Sequence, residues 1–264
     1  MTTVKDIIAF METIAPQSKK ESWDHVGLQC GRESKQVRTV LVALDPFKDV
    51  ADEAAELGAD LILTHHPLIF NPLYALTDST AIGRTISTLV RHDIAAFHAH
   101  TNLDIAPEGV NHCLAKTLGL ENIAVIDPLE TDRTGAVWGL MRRGTTQEQA
   151  LEDFLPKVKQ ALQAPGLRYA SGGKRVHHVA VGGGACGEEW PAALRAGCDT
   201  FVTSDVKYNQ FRDAYDLGLN LIDAGHFATE NPVTAVLARK LQTRFPELAV
   251  ISSQVHRDVT QFYE

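Results

Sequence analysis

Short apolar runs alternate with helical segments along the whole chain, and this alternation is the strongest constraint on its fold. In the first half, strands are predicted at 39–45, 60–64 and 94–99. Segments with a helical pattern lie at 49–58, at 80–92 and near 109–119. Strands that alternate with helices of this length favour parallel pairing with crossover helices. We therefore predict an α/β fold.

The second half of the chain repeats this alternation. Further strands are predicted at 136–142, 167–171, 176–181, 200–204, 219–223 and 248–253. The helical pattern covers 146–162, 188–197, 206–218 and 228–243. Between the halves, the segment 125–135 (VIDPLETDRTG) is rich in turn-forming residues and is the best candidate for a junction.

Two stretches of the chain match each other at a constant offset, which indicates an internal duplication. The segment GADLILTHH at 58–66 aligns with GCDTFVTSD at 197–205, and VLVALD at 40–45 aligns with VAVGGG at 179–184. We predict two interlinked α/β modules with mixed, mainly parallel sheets. The first comprises residues 1–125 plus 225–264, and the second comprises 126–224. Ligands of open α/β sheets collect at the carboxyl ends of strands, so we expect a metal site in the cleft between the modules.

Charge and composition exclude several classes of protein. The chain has 25 Lys and Arg against 33 Asp and Glu, a net charge of −8, so it lacks the basic footprint of a duplex-DNA binder and we expect no nucleic-acid partner. Its apolar runs are far shorter than the roughly 18 residues that span a bilayer, and we expect no membrane association. The first 16 residues have the pattern of an amphipathic helix rather than a signal peptide. Four cysteines without a CxxC motif indicate a reduced, cytoplasmic protein.

The chain has eleven histidines against four cysteines, so a metal site would use imidazole and carboxylate ligands. His65 and His66 follow the apolar run LILT directly. Neighbouring residues on a regular strand point to opposite faces, so one ion would rarely take both, but at a strand end they can serve two ions. His100 and Asp104 follow the next strand. Each group alone has a simpler interpretation as a polar loop or a turn.

His226 and Glu230 form a third group, in LIDAGHFATE. If a helix begins near residue 226, their spacing places both side chains on one helical face. The simpler alternative is a helix start with a favourably placed glutamate. Taken together, the groups supply nitrogen and carboxylate ligands that suit two divalent ions such as Zn, Mn, Fe or Co. The set is His65, His66, Asp104, His226 and Glu230.

A glycine-rich segment offers a competing function. Residues 182–187 (GGGACG) match GxGxxG after a predicted strand and before a predicted helix, and Asp205 closes the next strand. That context is what a dinucleotide-binding oxidoreductase requires. A tight turn between strand and helix explains the same glycines, and we favour it because the motif is short and generic.

Five motifs together resemble one known family. They are WDHVGLQCG (23–31), GADLILTHHPLIF (58–70), AHTNLD (99–104), SDVKY (204–208) and LGLNLIDAGHFATE (217–230). The chain is similar over almost its entire length to the hexameric dinuclear-metal proteins called GTP cyclohydrolase 1 type 2 homologs, or NIF-three-like proteins. The resemblance implies a toroidal homohexamer with two divalent ions per subunit facing the interior. His25 and Asn209 depart from the residues that the family often has at these positions.

The resemblance also implies roles for individual side chains. Asp104 and His65 would bind one ion, His66 and His226 the other, and Glu230 would bridge them. We expect a metal-dependent hydrolase of a small nucleotide-like substrate, with Glu230 as base and His100 as proton carrier. The alternative is a hexamer that binds metal without catalysis and has a binding or regulatory role. The weaker alternative is the dinucleotide-binding oxidoreductase.

Overall fold

A computed structural model describes residues 1–263. The first part of the chain contains α1 (Val4–Ile14), β1 (Gly27–Cys30), β2 (Thr39–Ala43), α2 (Lys48–Glu56), β3 (Leu61–Thr64), α3 (Ala81–Arg91), β4 (Ala95–His98), α4 (Thr101–Asp104) and α5 (Val110–Thr117). The next part contains β5 (Glu121–Val125), β6 (Glu130–Thr131), β7 (Val137–Trp138), β8 (Arg142–Gln149), α6 (Leu151–Leu162), β9 (Arg168–Ala170) and β10 (Val176–Val181). The last part contains α7 (Trp190–Arg195), β11 (Thr200–Thr203), α8 (Tyr208–Asp216), β12 (Asn220–Asp223), α9 (His226–Glu230), α10 (Pro232–Arg244) and β13 (Ala249–Ser252).

Unit 1 comprises residues 1–103 and 234–257. Its five-stranded sheet has the order β1-β4-β3-β2-β13. The pairs among β4, β3, β2 and β13 are parallel, and β1 pairs antiparallel with β4 at one edge. β3 is buried along its whole length, as expected for a parallel strand covered on both faces. The core of unit 1 includes Leu41 of β2, Ile62 of β3 and Leu89 of α3.

Unit 2 comprises residues 104–233 and the segment from residue 258 onward. Its six-stranded sheet has the order β5-β8-β10-β11-β12-β9. The three strands β10, β11 and β12 are parallel, whereas β5, β8 and β9 pair antiparallel with their neighbours. Phe154, Val179, Val202 and Ile222 are among the side chains of its core.

The predicted α/β class with mixed sheets is confirmed. Each sheet contains three consecutive parallel strands, β2-β3-β4 in one unit and β10-β11-β12 in the other, which is the relation that the sequence duplication predicts. We predicted joints near residues 125 and 225. In the structure the chain passes from one unit to the other after Leu103, after Val233 and again after Arg257. The four cysteines are free thiols, and the described residues include no helix with the length and apolar character that crossing a bilayer requires.

Three local predictions were wrong. The helix predicted from residue 146 begins at Leu151, and 146–149 belong to β8. β8 pairs with β5 on one side and β10 on the other, and this pairing outweighs the helical preference of the polar TTQEQ run. The strand predicted over 136–142 is interrupted, because β7, which pairs with β6 in a small hairpin, ends at Trp138 and β8 begins at Arg142. The helix predicted over 228–243 is broken between Glu230 and Pro232, because proline favours the first turn of a new helix.

Arg142, the first residue of β8, is a buried cation whose guanidinium is held by backbone carbonyl oxygens. Its guanidinium donates to the carbonyl oxygens of Gly139, Leu140, Met141 and Ala106, and its relative exposure is 1%. Burial lowers the pKa of Arg142 to about 10, so it stays protonated at neutral pH. The bond to Ala106 fixes the segment that follows Asp104.

Replacing Arg142 by methionine removes the guanidinium donor from these four carbonyl oxygens, of which those of Met141 and Ala106 keep a backbone amide donor. We expect R142M to lose roughly 3 kcal/mol of unfolding free energy, a fall in melting temperature of roughly 6–12 °C for a chain of this size. The matched control is R143M, because Arg143 is exposed and donates to the carbonyl oxygen of Ala196. Differential scanning calorimetry of both variants measures the difference, and equal melting temperatures would contradict this role of Arg142.

Candidate metal centre

Polar side chains follow the carboxyl ends of the parallel strands in both sheets. In unit 1, Asp45 lies two residues after β2, His65 and His66 follow β3 directly, and His100 lies two residues after β4. Neighbouring parallel strands lie about 4.8 Å apart, so side chains at their ends are brought close together. The local sequence therefore places titratable groups at one edge of the sheet.

His65, His66 and His100 form one group in unit 1. Each offers a ring nitrogen, and these nitrogens lie within 4.8 Å of one another. The ring centroids of His65 and His66 are 4.9 Å apart, and His100 lies 5.2 Å and 5.6 Å from them. β3 ends at Thr64, so the two adjacent histidines are released from the strand alternation that would point them to opposite faces.

The Nδ1 atoms of His65 and His66 are both held by hydrogen-bond acceptors. His65 Nδ1 donates to the carbonyl oxygen of Ala99 at 2.9 Å, and His66 Nδ1 donates to Asp45 Oδ1 at 2.6 Å. A neutral imidazole with a proton on Nδ1 keeps the lone pair of Nε2 for a metal ion, and such outer partners fix the ring orientation. Both rings are therefore prepared to bind through Nε2.

Asp45 has a second histidine partner, from the end of the chain. His256 Nε2 lies 3.4 Å from Asp45 Oδ2, and Ser253 Oγ, which accepts from the His256 amide, donates to Glu53. Burial raises the pKa of Asp45, but hydrogen bonds from His256 and His66 outweigh it and hold this pKa well below its usual range. His256 thus helps to fix the carboxylate that orients His66.

His100 is oriented by Asp24, which is fully buried. Asp24 Oδ1 accepts from His100 Nδ1 at 3.0 Å, and Asp24 Oδ2 accepts from the Thr101 hydroxyl at 2.6 Å and from its amide at 3.2 Å. Burial raises the pKa of Asp24, but the hydrogen bonds from His100 and Thr101 outweigh it and keep the pKa far below the ordinary value. Asp24 is therefore a charged carboxylate that fixes the orientation of the His100 ring through its Nδ1.

His98 stabilises the strand ends below this group. It is fully buried, and burial lowers its pKa to about 3, so the ring is neutral at physiological pH. Its Nδ1 lies 2.6 Å from Thr64 Oγ1, and that hydroxyl donates to the carbonyl oxygen of His66 at 2.7 Å. This chain of hydrogen bonds ties the end of β4 to the turn that carries His65 and His66.

His226 and Glu230 lie on α9 in unit 2, one helical turn apart as predicted. His226 Nε2 is 3.1 Å from Glu230 Oε2, and His226 Nδ1 donates to Asp205 Oδ2 at 2.8 Å. Burial lowers the pKa of His226, but the hydrogen bonds and negative charges of Asp205 and Glu230 outweigh it and raise the pKa to about 10. Two carboxylates around one imidazole attract positive charge, which here is a proton and in a loaded site would be a metal ion.

The glycine-rich loop after β10 leaves space for this glutamate. Gly184 has a φ of +63°, and a Cβ there would overlap Glu230 Oε1 and lie 3.3 Å from His226 Nε2. The Gly184 amide donates to Thr229 Oγ1 at 3.0 Å, and the Gly183 amide donates to Asn111 Oδ1 at 2.6 Å. Close packing against α9 thus accounts for Gly183 and for Gly184, the central glycine of the dinucleotide-binding pattern.

The donor groups fit a divalent ion. Unit 1 offers imidazole nitrogens, and unit 2, taken by itself, offers an imidazole and a nearly buried carboxylate. Both kinds of donor are typical ligands of Zn, Mn, Fe or Co. Asp104 is the last residue of α4, and its backbone oxygen accepts from Asn111 Nδ2 at 3.3 Å. His100 was expected only as a proton carrier. One of its ring nitrogens nevertheless lies within 4.8 Å of ring nitrogens of His65 and His66, which is close enough for a shared metal ion.

Sequence reasoning missed the three aspartates that orient the histidines. Asp45 and Asp205 each lie two residues after a parallel strand, β2 and β11. That shared position, in VALD and in VTSD, was a signal available from the sequence. Asp24 had a weaker signal, because it precedes β1 in a segment where no strand was predicted.

Comparison with known proteins identifies the family of the chain. Residues 2–259 match the family model Duf34/NIF3 (NGG1p interacting factor 3). A Clostridium perfringens protein called GTP cyclohydrolase 1 type 2 homolog is 33% identical over 98% of this chain and 99% of its own length. The crystal structure of a Bacillus cereus protein related to NIF3 superimposes with a TM-score of 0.93 at 29% identity, over 100% of this chain and 99% of that one. Staphylococcus aureus hypothetical protein SA1388 has a TM-score of 0.90 at 30% identity, over 99% of both chains. The chain therefore belongs to the DUF34/NIF3 family.

Proposed function

We propose that this chain binds two divalent metal ions and uses them to hydrolyse a nucleotide-like substrate. The ligands would be His65, His66, Asp104, His226 and Glu230. The observation that carries the proposal is the fixed Nδ1 of each of the three histidines, which hydrogen-bond to Ala99, Asp45 and Asp205. Histidines that only fill a loop have no need of such outer partners, whereas histidines that bind metal almost always have them.

The resemblance to the family supports a division of these ligands between the two ions. His65 and Asp104 would hold one ion, His66 and His226 the other, and Glu230 would be shared. A shared carboxylate suits Glu230, which is 4% exposed and lies within 3.1 Å of His226 Nε2. Its negative charge would offset the repulsion between two neighbouring cations.

When bound, the ions would supply Lewis-acid activation of water and of a substrate oxygen. The side chains of this chain would supply the proton transfers. Glu230 would act as base. His100 would carry a proton on Nε2, because its Nδ1 is already engaged as a donor to Asp24 Oδ1. Burial of Asp24 excludes water from that pair and keeps the ring in one orientation.

The nucleotide-like substrate rests on the relatives. Two clostridial relatives, 33% and 31% identical to this chain, are called GTP cyclohydrolase 1 type 2 homolog. GTP ring opening by addition of water is therefore the first reaction to test, followed by hydrolysis of phosphoesters. The alternative is a metal-binding or regulatory protein without turnover, which would use the same ligands.

Elemental analysis of purified protein tests the metal ligands. We expect two equivalents of a divalent metal per chain, and loss of at least one equivalent in His66→Ala and in Glu230→Gln. The control is His92→Ala, since His92 is exposed at the end of α3. Both ligand variants should also lose metal-dependent GTP hydrolysis. Unchanged metal content and turnover in both variants would refute the proposal, and full metal content without turnover of any nucleotide or phosphoester would support the non-catalytic alternative.

Asp45 provides a second test, through its contact with His66. We expect Asp45→Asn to weaken binding of one ion by roughly tenfold or more, because the charged acceptor of His66 Nδ1 is lost. Asp49→Asn is the matched control, since Asp49 is exposed on the helix after the same strand. Competition with a chromophoric chelator, using Zn²⁺ or Co²⁺, measures both affinities. Equal affinities would show that Asp45 does not position the ligand.

We also propose a homohexamer, on the resemblance to the family. Light scattering coupled to size exclusion should give the mass of six chains. Subunit interfaces rely on burial of apolar surface rather than on the ions, so the mass should persist after chelation. A monomer in both states would contradict the assembly, and a hexamer that falls apart on chelation would contradict its independence from metal.

A further inference from the structure

We propose that Trp23 and Phe70, together with His100, form a subsite that binds the planar heteroaromatic ring of the substrate. We call these three side chains the ring subsite. The inference rests on the proposed function in one respect, since it names the substrate group that the same site would take. All three residues belong to unit 1.

The three rings contact one another beside the histidine group. The centroid of Trp23 lies 6.0 Å from that of Phe70 and 6.1 Å from that of His100, and Phe70 lies 6.4 Å from His100. His100 in turn contacts His65 and His66. His100 therefore lies between the aromatic pair and the candidate metal ligands His65 and His66 and contacts both.

Trp23 and Phe70 expose much of their surface. Trp23 is 55% exposed and Phe70 is 50% exposed, whereas Trp138 is buried. A single exposed aromatic residue is common on a protein surface. Two exposed rings in contact with each other, next to a cluster of polar groups, are the combination expected of a ligand site, which is apolar with a few convergent polar groups.

Hydrogen bonds of Asp24 and Gln29 hold the backbone that carries the two rings. Asp24, next to Trp23, is fully buried and hydrogen-bonded to Thr101. Gln29 of β1 bridges the two segments. Its Oε1 accepts from the Ile69 amide at 2.6 Å, and its Nε2 donates to the His25 carbonyl oxygen at 2.8 Å. The rings thus have fixed supports before any ligand arrives, which lowers the entropic cost of binding.

The chemistry of the three rings selects a planar nitrogen heterocycle. Trp23 and Phe70 are tilted by 53° to each other and offer π-faces, on which any flat ring gains stacking energy. His100 offers a nitrogen at the inner end, which can hydrogen-bond a heterocycle nitrogen or carbonyl but gains nothing from a hydrocarbon. The ligand is therefore a purine-like base, with its polar edge toward the histidines.

Equilibrium dialysis of the full-length, metal-loaded protein tests the subsite. The probes are guanosine, which has the ring without phosphate, and GTP, with inorganic triphosphate as a competitor that lacks the ring. We expect Trp23→Leu and Phe70→Leu each to weaken guanosine and GTP binding by roughly tenfold or more. Binding of triphosphate should not change. Trp23→Phe and Phe70→Tyr retain a ring and should restore most of the affinity.

Tyr74→Leu is the matched control, because Tyr74 is a fully exposed ring four residues after Phe70. Unchanged guanosine affinity in both leucine variants would overturn the ring subsite, and if His66→Ala still abolished hydrolysis, the proposed function would stand. Weaker guanosine binding in a protein that neither binds metal nor hydrolyses GTP would support the subsite and refute the hydrolase. A change in native mass with unchanged ligand affinity would show that a second copy covers the rings, which also overturns the proposal.

Discussion

The hydrogen bond from a histidine Nδ1 to a fixed acceptor is the interaction on which the candidate site depends. An imidazole can rotate about two bonds and can carry its proton on either nitrogen. The carboxylates of Asp45 and Asp205 remove both freedoms for His66 and His226, and the Ala99 carbonyl oxygen does so for His65. Each ring then presents Nε2 in one direction, so little conformational entropy is lost when an ion binds.

Burial of two orienting carboxylates, those of Asp24 and Asp45, is costly, and the fold offsets that cost locally. Asp24 is fully buried, yet hydrogen bonds from His100 and Thr101 keep it ionised, with a pKa well below the usual range. Asp45 obtains the same compensation from His66 and His256. In each case the partners include a neighbouring histidine, so the groups that stabilise the charge are themselves positioned by it. Removing one member would leave a buried charge without its partner, and the site would lose stability as well as function.

The sequence predicted the elements whose signals are local. Parallel strands such as β3 are apolar throughout, and the histidine and carboxylate residues that follow them stand out from that background. β8 was mistaken at its end because its conformation depends on the strands on both sides of it, which no local pattern records. The ligand types were predictable from spacing, whereas His256 was not. It reaches Asp45 from the other end of the chain, and that contact exists only after β13 has paired with β2.

Both units contain an aspartate that orients a histidine from the neighbouring parallel strand, but the two pairs do not occupy equivalent strands of the duplication. In unit 1 the aspartate follows β2 and the histidine follows its parallel neighbour β3, and in unit 2 they follow β11 and its neighbour β12. The sequence alignment instead pairs His66 with Asp205, a ligand with an orienting group. What has been kept is therefore the relation between adjacent strand ends rather than a residue at a fixed position of the repeat. Neighbouring parallel strands hold their ends about 4.8 Å apart, which places a short carboxylate within reach of Nδ1 wherever such a pair of strands occurs. Either strand pair of the repeat can supply this device, and the residue type at each end decides which one does.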